Sequence, residues 1–585
     1  MQKVKEFCSS KYFTWFLLGI GALVILAYYF IRVPDLYVYW SLVDEYGYLA
    51  NAAYLSNTDW SWLTNMYYGY GYSLWLVPLF WVCDSGVGML RAAVMFNAIC
   101  IVALFFIQYM LMSKLCKNTG KNMLIVISFA LCFYPYIVFS GVKVMCEIML
   151  TLVVWLCGLL LYQALETGKW YYYVLSGAVT VYMFYVHARA IVFCAVIVLV
   201  VGIMFLAKKV NWKQLLAFAV PAAILFVLGY LLRNQIVDVV YSQELFESAA
   251  AAGESTVEIG NNMSLAYVLD KVSQLFQPSS LRLIFVFFGR NFYLFVGTLG
   301  MFHVGVAASV AEAVKEFKNK KSISTVNAIK LMYTLGAMLM VFATTIQSLG
   351  LPENGAYSFY GRYYEFMIVP AAFLGIDYCM NNKLKIRNII AWLLTFGVLI
   401  WLTMELANWI STQDMTFDAG RLASFAMYSV KEVYFRAVVR AAAKFTLACV
   451  LVIILLNYKE KLRKLIPIVL IAVFALNDHV IMENVLNLHA EFDDDYQVAV
   501  YVHTYYPDKD EIYFVNADVI YPIAYTGIQA SLGQEKLTMI EGKNADVLES
   551  GDVFVSFRNN QYLELIEEPI TKMWETQYYE LYVVE

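Results

Sequence analysis

The run FTWFLLGIGALVILAYYFI, Phe13–Ile31, holds no charged residue and is long enough to cross a bilayer as a helix. A span of the hydrocarbon core takes about 20 mostly apolar residues. Lys3, Lys5 and Lys11 lie before the run and Arg32 closes it. The run is too long for the apolar part of a secretory signal, and no small-residue cleavage site follows, so it reads as a retained span.

The same texture recurs along the chain. It is found at Val87–Met112, Met123–Ser140, Val144–Tyr162, Trp170–Val186, Ala190–Ala207 and Leu215–Leu232. It returns at Ile284–Val306, Leu331–Gln347, Tyr363–Met380, Ile389–Trp409, Ala437–Leu456 and Leu465–Ile481. Together these runs predict an α-helical polytopic membrane protein of about 13 spans. Composition agrees: of 585 residues, 61% are hydrophobic and 15% charged, against about 25% charged in soluble domains. One aqueous core cannot bury that surplus of apolar surface, so lipid must be the solvent for most of it.

Lys and Arg orient the spans, because short cytoplasmic loops are enriched in them. Every second loop is basic: Lys114/Lys117/Lys121, Lys169, Lys208/Lys209/Lys213, Lys315/Lys318/Lys320/Lys321, Lys383/Lys385/Arg387 and Lys459/Lys461/Arg463/Lys464. The expected protein is multi-pass in the cell membrane, with a cytoplasmic N-terminus and, after an odd number of spans, an extracytoplasmic C-terminus. Cys100, Cys132, Cys157, Cys194 and Cys449 lie in apolar runs and the tail has none, so no disulfide framework is indicated. The net charge of −4 gives no sign of a nucleic-acid partner.

The expected organisation is a membrane domain over residues 1–482, with a long first external loop at 32–86, and a small external α/β domain over 483–585. Other outer segments are Arg233–Arg282, with a flexible-looking stretch at Ala249–Asn262, then Gly350–Arg362 and Ile410–Arg436. In the tail, Glu511–Asn516, Lys536–Ile540, Asp552–Phe557 and Tyr578–Val584 read as strands, and Tyr496–Tyr505, Ile520–Leu532 and Ala545–Ser550 as helices. Asp493-Asp494-Asp495 includes an Asp-x-Asp, but it stands where a helix begins and acids favour the helix dipole.

The chemistry signal is in the first loop. Asp44-Glu45 stands just outside the first span, followed by the helical-looking Tyr46–Tyr54, then Asp59-Trp60, then Tyr67-Tyr68-Gly69-Tyr70-Gly71-Tyr72-Ser73 and the apolar Leu74–Val82. An outer loop this aromatic is expected to lie along the membrane surface. The plain alternative for Asp44-Glu45 is a solvated pair on a loop.

This arrangement resembles the GT-C superfamily of glycosyltransferases that use sugars carried on polyprenyl phosphate. Within it, the sequence is most similar to the protein O-mannosyltransferase and lipid A aminoarabinose transferase group (glycosyltransferase family 39-like). Those enzymes carry an Asp-Glu pair in the first external loop, then a surface helix with small residues, here Ala50 and Ala53, and often an Asp-Trp ending. The chain lacks the Lys-Pro-Pro-like element of the aminoarabinose branch, so the donor sugar stays open. The resemblance extends to Glu147, to His187-Ala188-Arg189 and to Gly361-Arg362-Tyr363-Tyr364-Glu365 with Pro370.

The resemblance implies an inverting transferase working on the outer face of the cytoplasmic membrane. Its expected partners are a polyprenyl-phosphate-linked sugar donor, membrane lipid, and a lipid, wall-polymer or protein acceptor. Nothing in the sequence calls for a metal or another cofactor. An acceptor hydroxyl attacks poorly until a carboxylate takes its proton. A departing phosphate needs positive charge and donors, not a general acid. Asp44 is the expected base, with Glu45 orienting it or binding acceptor. Glu147, His187, Arg189, Arg362, Tyr363 and Tyr70 are expected to bind substrate; Arg282 and Arg290 also lie at outer span ends. The plain alternatives are snorkelling arginines and an interfacial His187, which has no second His or Cys spaced for a metal.

Three other readings compete. A polysaccharide polymerase or ligase places its key arginines in large late loops, with no early Asp-Glu. A transporter or flippase shows broken mid-membrane helices and internal repeats. A non-catalytic protein on the same fold is the third.

Overall fold

The computed structural model describes residues 11–40, 42–60, 68–241, 273–275, 277–348, 358–412, 422–429, 434–489, 492–516 and 522–585. The expected loop Ala249–Asn262 and Tyr67 lie outside the described residues, as does much of the segments Gly350–Arg362 and Ile410–Arg436.

Among the described residues, nine helices are long and apolar enough to cross a membrane, or eleven if each of two bent pairs is one span. They run from Lys11–Asp35 to Glu460–His489. Two further expected spans fold as shorter helices, Trp170–Val186 of 17 residues and Ile368–Asn381 of 14. In the second, the turns Gly361–Tyr363 and Glu365–Met367 take the place of the expected first turns of helix.

Both bent pairs have a local cause. Lys121–Cys132 and Pro135–Gly141 meet at 54°. Pro135 cannot donate a backbone hydrogen bond and pushes Tyr134 out of the helical region (ψ 132°). The expected straight span Ile284–Val306 is instead two helices, Arg282–Thr298 and Met301–Lys320, set at 103°. Leu299 and Gly300 adopt left-handed φ of 50° and 76° between them, a break that apolarity alone does not reveal.

Bundle packing relies on small residues, as between membrane helices generally. Met301–Lys320 crosses Ile368–Asn381 at Gly305 and Gly375, where a Cβ on either would stand 1.9 Å from a carbonyl oxygen of the other helix. The helix Trp212–Val240 leaves Ile224, Val227, Leu228 and Leu231 exposed, a face suited to lipid. Leu74, Trp75, Trp81 and Val82 of the first loop are exposed too.

The C-terminal domain is a five-stranded sheet in the order β2-β1-β3-β5-β4. The strands are β1 Glu511–Val515, β2 Lys536–Ile540, β3 Val553–Phe557, β4 Ile570–Glu575 and β5 Tyr579–Val584. β1 pairs parallel with β2 and β3, while β5 runs antiparallel to β3 and β4. Helices Asp493–Tyr505 and Pro522–Leu532 accompany it. The expected helix Ala545–Ser550 is a 3-10 segment, Gly542–Val547, and the edge strand β4 was not expected.

Asp493-Asp494-Asp495 opens the helix Asp493–Tyr505. Asp494 accepts from the Tyr578 amide at 2.9 Å and Asp495 from the Tyr579 hydroxyl at 2.8 Å. Burial pushes the Asp495 carboxyl up to about 7, from about 3.9 in an unfolded chain. The folded domain therefore binds more protons than the unfolded one between those values. The stability that Asp495 contributes is full below about pH 4 and is lost as pH rises through about 7. Denaturant unfolding followed by Trp574 fluorescence should show this loss, and Asp495→Asn should remove it.

Candidate active site

The helix Leu42–Ser56, largely buried, carries Asp44 and Glu45 in its first turn. Asp44 Oδ1 accepts from the Tyr68 hydroxyl at 2.8 Å, and Oδ2 is ion-paired to Arg362 Nη1. Arg362 Nε also donates to Glu147 Oε1 at 2.6 Å, and Arg189 Nη2 donates to the same oxygen at 2.8 Å. Four residues drawn from four distant segments thus form one chain of charge: Asp44, Arg362, Glu147, Arg189. Glu147 stands in the first turn of Glu147–Thr167, where the helix dipole favours an anion. Its side chain is 1% exposed, against 32% for Asp44, so the network is deep at Glu147 and open at Asp44.

Local structure explains how each group is held. Arg362 lies in the turn Gly361–Tyr363, just before Glu365. Glu365 accepts from Tyr134 at 2.6 Å, Tyr293 at 3.0 Å and Ser424 at 3.1 Å, which anchors that turn in the bundle. Arg189 follows His187, whose Nδ1 accepts from the Arg189 amide at 3.2 Å and caps the turn Ala188–Ala190. Burial, with Arg189 beside it, pushes the His187 imidazole well below its usual range, so it stays neutral. The carboxylates of Asp44 and Glu147 hold Arg362 well above the usual guanidinium value against its burial.

The other expected site residues fall into two groups. Tyr363 packs beside the cluster, its ring centroid 5.6 Å from the Arg189 guanidinium. Glu45 is fully buried and accepts from the Trp40 amide at 3.1 Å and the Val144 amide at 2.9 Å, which ties the first loop to the turn before Glu147. Tyr70 points elsewhere: its hydroxyl donates to the Gly229 carbonyl at 3.0 Å, and its ring lies 5.1 Å from Tyr185. Arg290 is placed apart as well, donating to Ser358 O at 3.0 Å and to Thr344 and Thr345. Arg282 lies against Trp409.

The Tyr-Gly-Tyr-Gly-Tyr run has a structural reason. A Cβ on Gly69 or Gly71 would stand 2.5 to 2.6 Å from the backbone of Tyr185 and Val186, so only glycine lets the start of the helix Tyr70–Leu76 approach. That approach delivers Tyr68 to Asp44.

One site residue was not anticipated. Lys143 is 4% exposed, and its ammonium lies 3.4 Å from the Trp40 ring centroid and 3.5 Å from that of Phe139. It makes no ion pair among the described residues. Burial lowers its pKa strongly; Glu45, Glu147 and Asp44 nearby oppose that shift. The sequence did hold a signal: Lys143 is a lone cation in a short loop on the expected outer side, where the alternation calls for none. Arg189 also keeps Nε and Nη1, and Glu147 keeps Oε2, without hydrogen-bond partners in the buried floor of the site. The cluster therefore offers a semi-exposed carboxylate beside two arginines, with unused donors on Arg189, and the buried Lys143 amine.

Comparison with known proteins bears on the fold. No protein-family profile matches the sequence, and no curated protein sequence matches it. Among solved structures, ArnT from Cupriavidus metallidurans bound to undecaprenyl phosphate is similar over 98% of both chains, with TM-score 0.51 and 11% identity. The Archaeoglobus fulgidus oligosaccharyltransferase in its apo form matches 92% of this chain and 65% of its own, with TM-score 0.45 and 13% identity. The arabinosyltransferase EmbB from Mycobacterium smegmatis matches 78% of this chain and 41% of its own, with TM-score 0.37 and 12% identity. The chain shares the fold of the ArnT structure over nearly its full length.

Proposed function

We propose that this protein is an inverting glycosyltransferase that moves a sugar from a polyprenyl-phosphate donor to an acceptor on the outer face of the cytoplasmic membrane. The observation that carries the reading is the Asp44–Arg362–Glu147–Arg189 chain, in which a carboxylate is ion-paired to one arginine and linked through Glu147 to a second. The ArnT structure with undecaprenyl phosphate supports a lipid-phosphate donor for the shared fold.

The bonds balance as follows. The acceptor oxygen attacks the anomeric carbon, the carbon–oxygen bond to phosphate breaks, and its electron pair leaves on the phosphate. The acceptor proton passes to Asp44. A phosphodiester with one negative charge becomes a monoester that carries up to two. Arg189, Arg362 and Lys143 face that gain with donors already aimed into a poorly solvated site, where they act more strongly than in water. Asp44 is bound to Arg362. An incoming phosphate competes with Asp44 for Arg362.

Lys143→Met should separate binding from folding. A buried lysine without an ion-pair partner costs stability, so the variant is expected to melt at the wild-type temperature or above it. Its donor KM should rise about tenfold or more, a loss of roughly 1.4 kcal/mol of phosphate binding. Thermal unfolding and donor titration on the purified protein check both halves.

The function itself is tested by giving the purified protein, in lipid nanodiscs, a panel of synthetic polyprenyl-phosphate sugars with lipid, glycan and peptide acceptors. The expected result is release of polyprenyl phosphate from at least one donor, with the product inverted at C1. Turnover of nucleotide sugars in place of every lipid donor would overturn the reading.

A further inference from the structure

The C-terminal domain meets the membrane domain at the helix that carries Asp44. Tyr46 stands two residues beyond Asp44, about 200° round the helix and so on its opposite face. It is fully buried, stacked on Trp60 with centroids 5.5 Å apart and planes at 10°, and met edge-on by Tyr525 of the C-terminal domain at 6.1 Å. Trp60 is 3% exposed, and its indole N–H donates to the Gly533 carbonyl at 2.8 Å. Gln534 Nε2 donates to Phe80 O at 2.7 Å and Cys83 O at 3.0 Å. Lys536, at the start of β2, pairs with Asp59 at 2.8 Å.

Beneath these contacts the two domains touch backbone to backbone. A Cβ on Gly86 would stand 1.9 Å from the Ala530 carbonyl, and Gly533 needs the left-handed φ of +89° it adopts. On its other side, the same helix is tied to the bundle by Glu45, by Tyr48 to Cys146 at 2.9 Å, and by Asn51 to the Tyr68 carbonyl at 2.9 Å. The helix Leu42–Ser56 is thus held from both sides, and the C-terminal domain supplies one of them.

We propose that the C-terminal domain is a positioning unit, with Trp60, Tyr46, Tyr525 and the Gly533-Gln534 turn forming a clamp that fixes the helix bearing Asp44 against Arg362. The catalytic consequence rests on Asp44 being the base; the mechanical coupling does not. The domain contributes no group to the reacting atoms. It acts by holding a carboxylate in place, and a misplacement of about 1 Å in such a group costs about 10²-fold in rate. The aromatic contacts and main-chain acceptors fit the role better than the Lys536–Asp59 pair, since exposed ion pairs contribute about 1 kcal/mol or less.

Two full-length variants test the clamp: Trp60→Phe combined with Gln534→Ala, which keeps the ring but removes three hydrogen bonds, and Gly86→Val, which wedges the backbones apart. Hydrogen–deuterium exchange is read at Tyr525–Gly533 for the interface and at Tyr46–Tyr54 for the catalytic helix. The expected result is faster exchange at both, with helix Glu147–Thr167 unchanged. In the transfer assay, kcat should fall about 10- to 100-fold with donor KM held within about twofold, since donor contacts are untouched. An opened interface with unchanged protection of Tyr46–Tyr54 overturns the proposal. So does an interface that stays closed in both variants, because the named contacts would then not be what holds it. Absence of transfer in the wild type would instead count against the proposed function, and leaves the exchange result to decide the clamp.

Discussion

Asp44→Asn is expected to lower the rate of sugar transfer by about 10²–10⁴, the usual worth of a general base. Asparagine is nearly isosteric and keeps an acceptor for the Tyr68 hydroxyl, but it takes no proton at neutral pH. Arg362 keeps its ion pair with Glu147 when the pair with Asp44 is lost, so the fold should be retained. The loss should appear in single-turnover experiments with saturating donor, and thermal unfolding should stay close to wild type. A folded Asp44→Asn protein that transfers at the wild-type rate would remove Asp44 from the chemistry.

Arg362→Ala should have the broadest effect of any single change. Arg362 bridges Asp44 and Glu147, and Glu147 is buried. Breaking one arm of a buried charge network commonly costs about 3–5 kcal/mol; here Arg189 remains on Glu147 and reduces that cost. Donor binding and kcat should fall together, with kcat lower by about 10²–10³, as when one preorganised donor to a developing anion is lost. Arg362→Lys should not restore activity, because an ammonium lacks the planar fork that reaches two carboxylates at once. Donor titration and single-turnover rates on the same preparation separate the two effects. A variant that weakens binding with an unaltered rate would restrict Arg362 to ground-state recognition.

Much of this architecture was legible in the sequence, for a physical reason. A membrane span announces itself by length and apolarity, so Phe13–Ile31 and most of its successors fall on observed helices. The tail strands Glu511–Asn516, Lys536–Ile540, Asp552–Phe557 and Tyr578–Val584 were legible too, being short and bounded by turns. The breaks were less visible. Leu299 turns left-handed without any mark in its residue type, and it splits a run that reads as one span. β4 escaped because Thr571-Lys572-Met573 lies at the sheet edge and has no alternating buried face to betray it.

At the site, Asp44, Arg189 and Arg362 stood out through the family resemblance, and Glu147 also because a carboxylate in an apolar run is costly without a partner. Sequence could not say that the four share one network, since Arg362 and Asp44 lie 318 residues apart. Nor could it say which tyrosine of the Tyr67–Tyr72 run faces Asp44. The glycines decide that, through an approach to Tyr185 and Val186 that exists only in the fold. Asp59-Trp60 was read as part of a loop pattern, yet both residues contact the C-terminal domain.

The most direct test of the account is to locate the donor phosphate. A polyprenyl phosphate with a photoreactive group beside its phosphate would be cross-linked to the protein in nanodiscs and the adducts mapped by mass spectrometry. The account predicts adducts in Tyr136–Glu147, Tyr185–Ala190 and Phe359–Phe366, suppressed by excess unlabelled polyprenyl phosphate and weakened in Lys143→Met and Arg362→Ala. Adducts that compete equally well but fall at the basic end of the bundle, around Lys209 or Lys383, would place the phosphate on the other side of the molecule and contradict it.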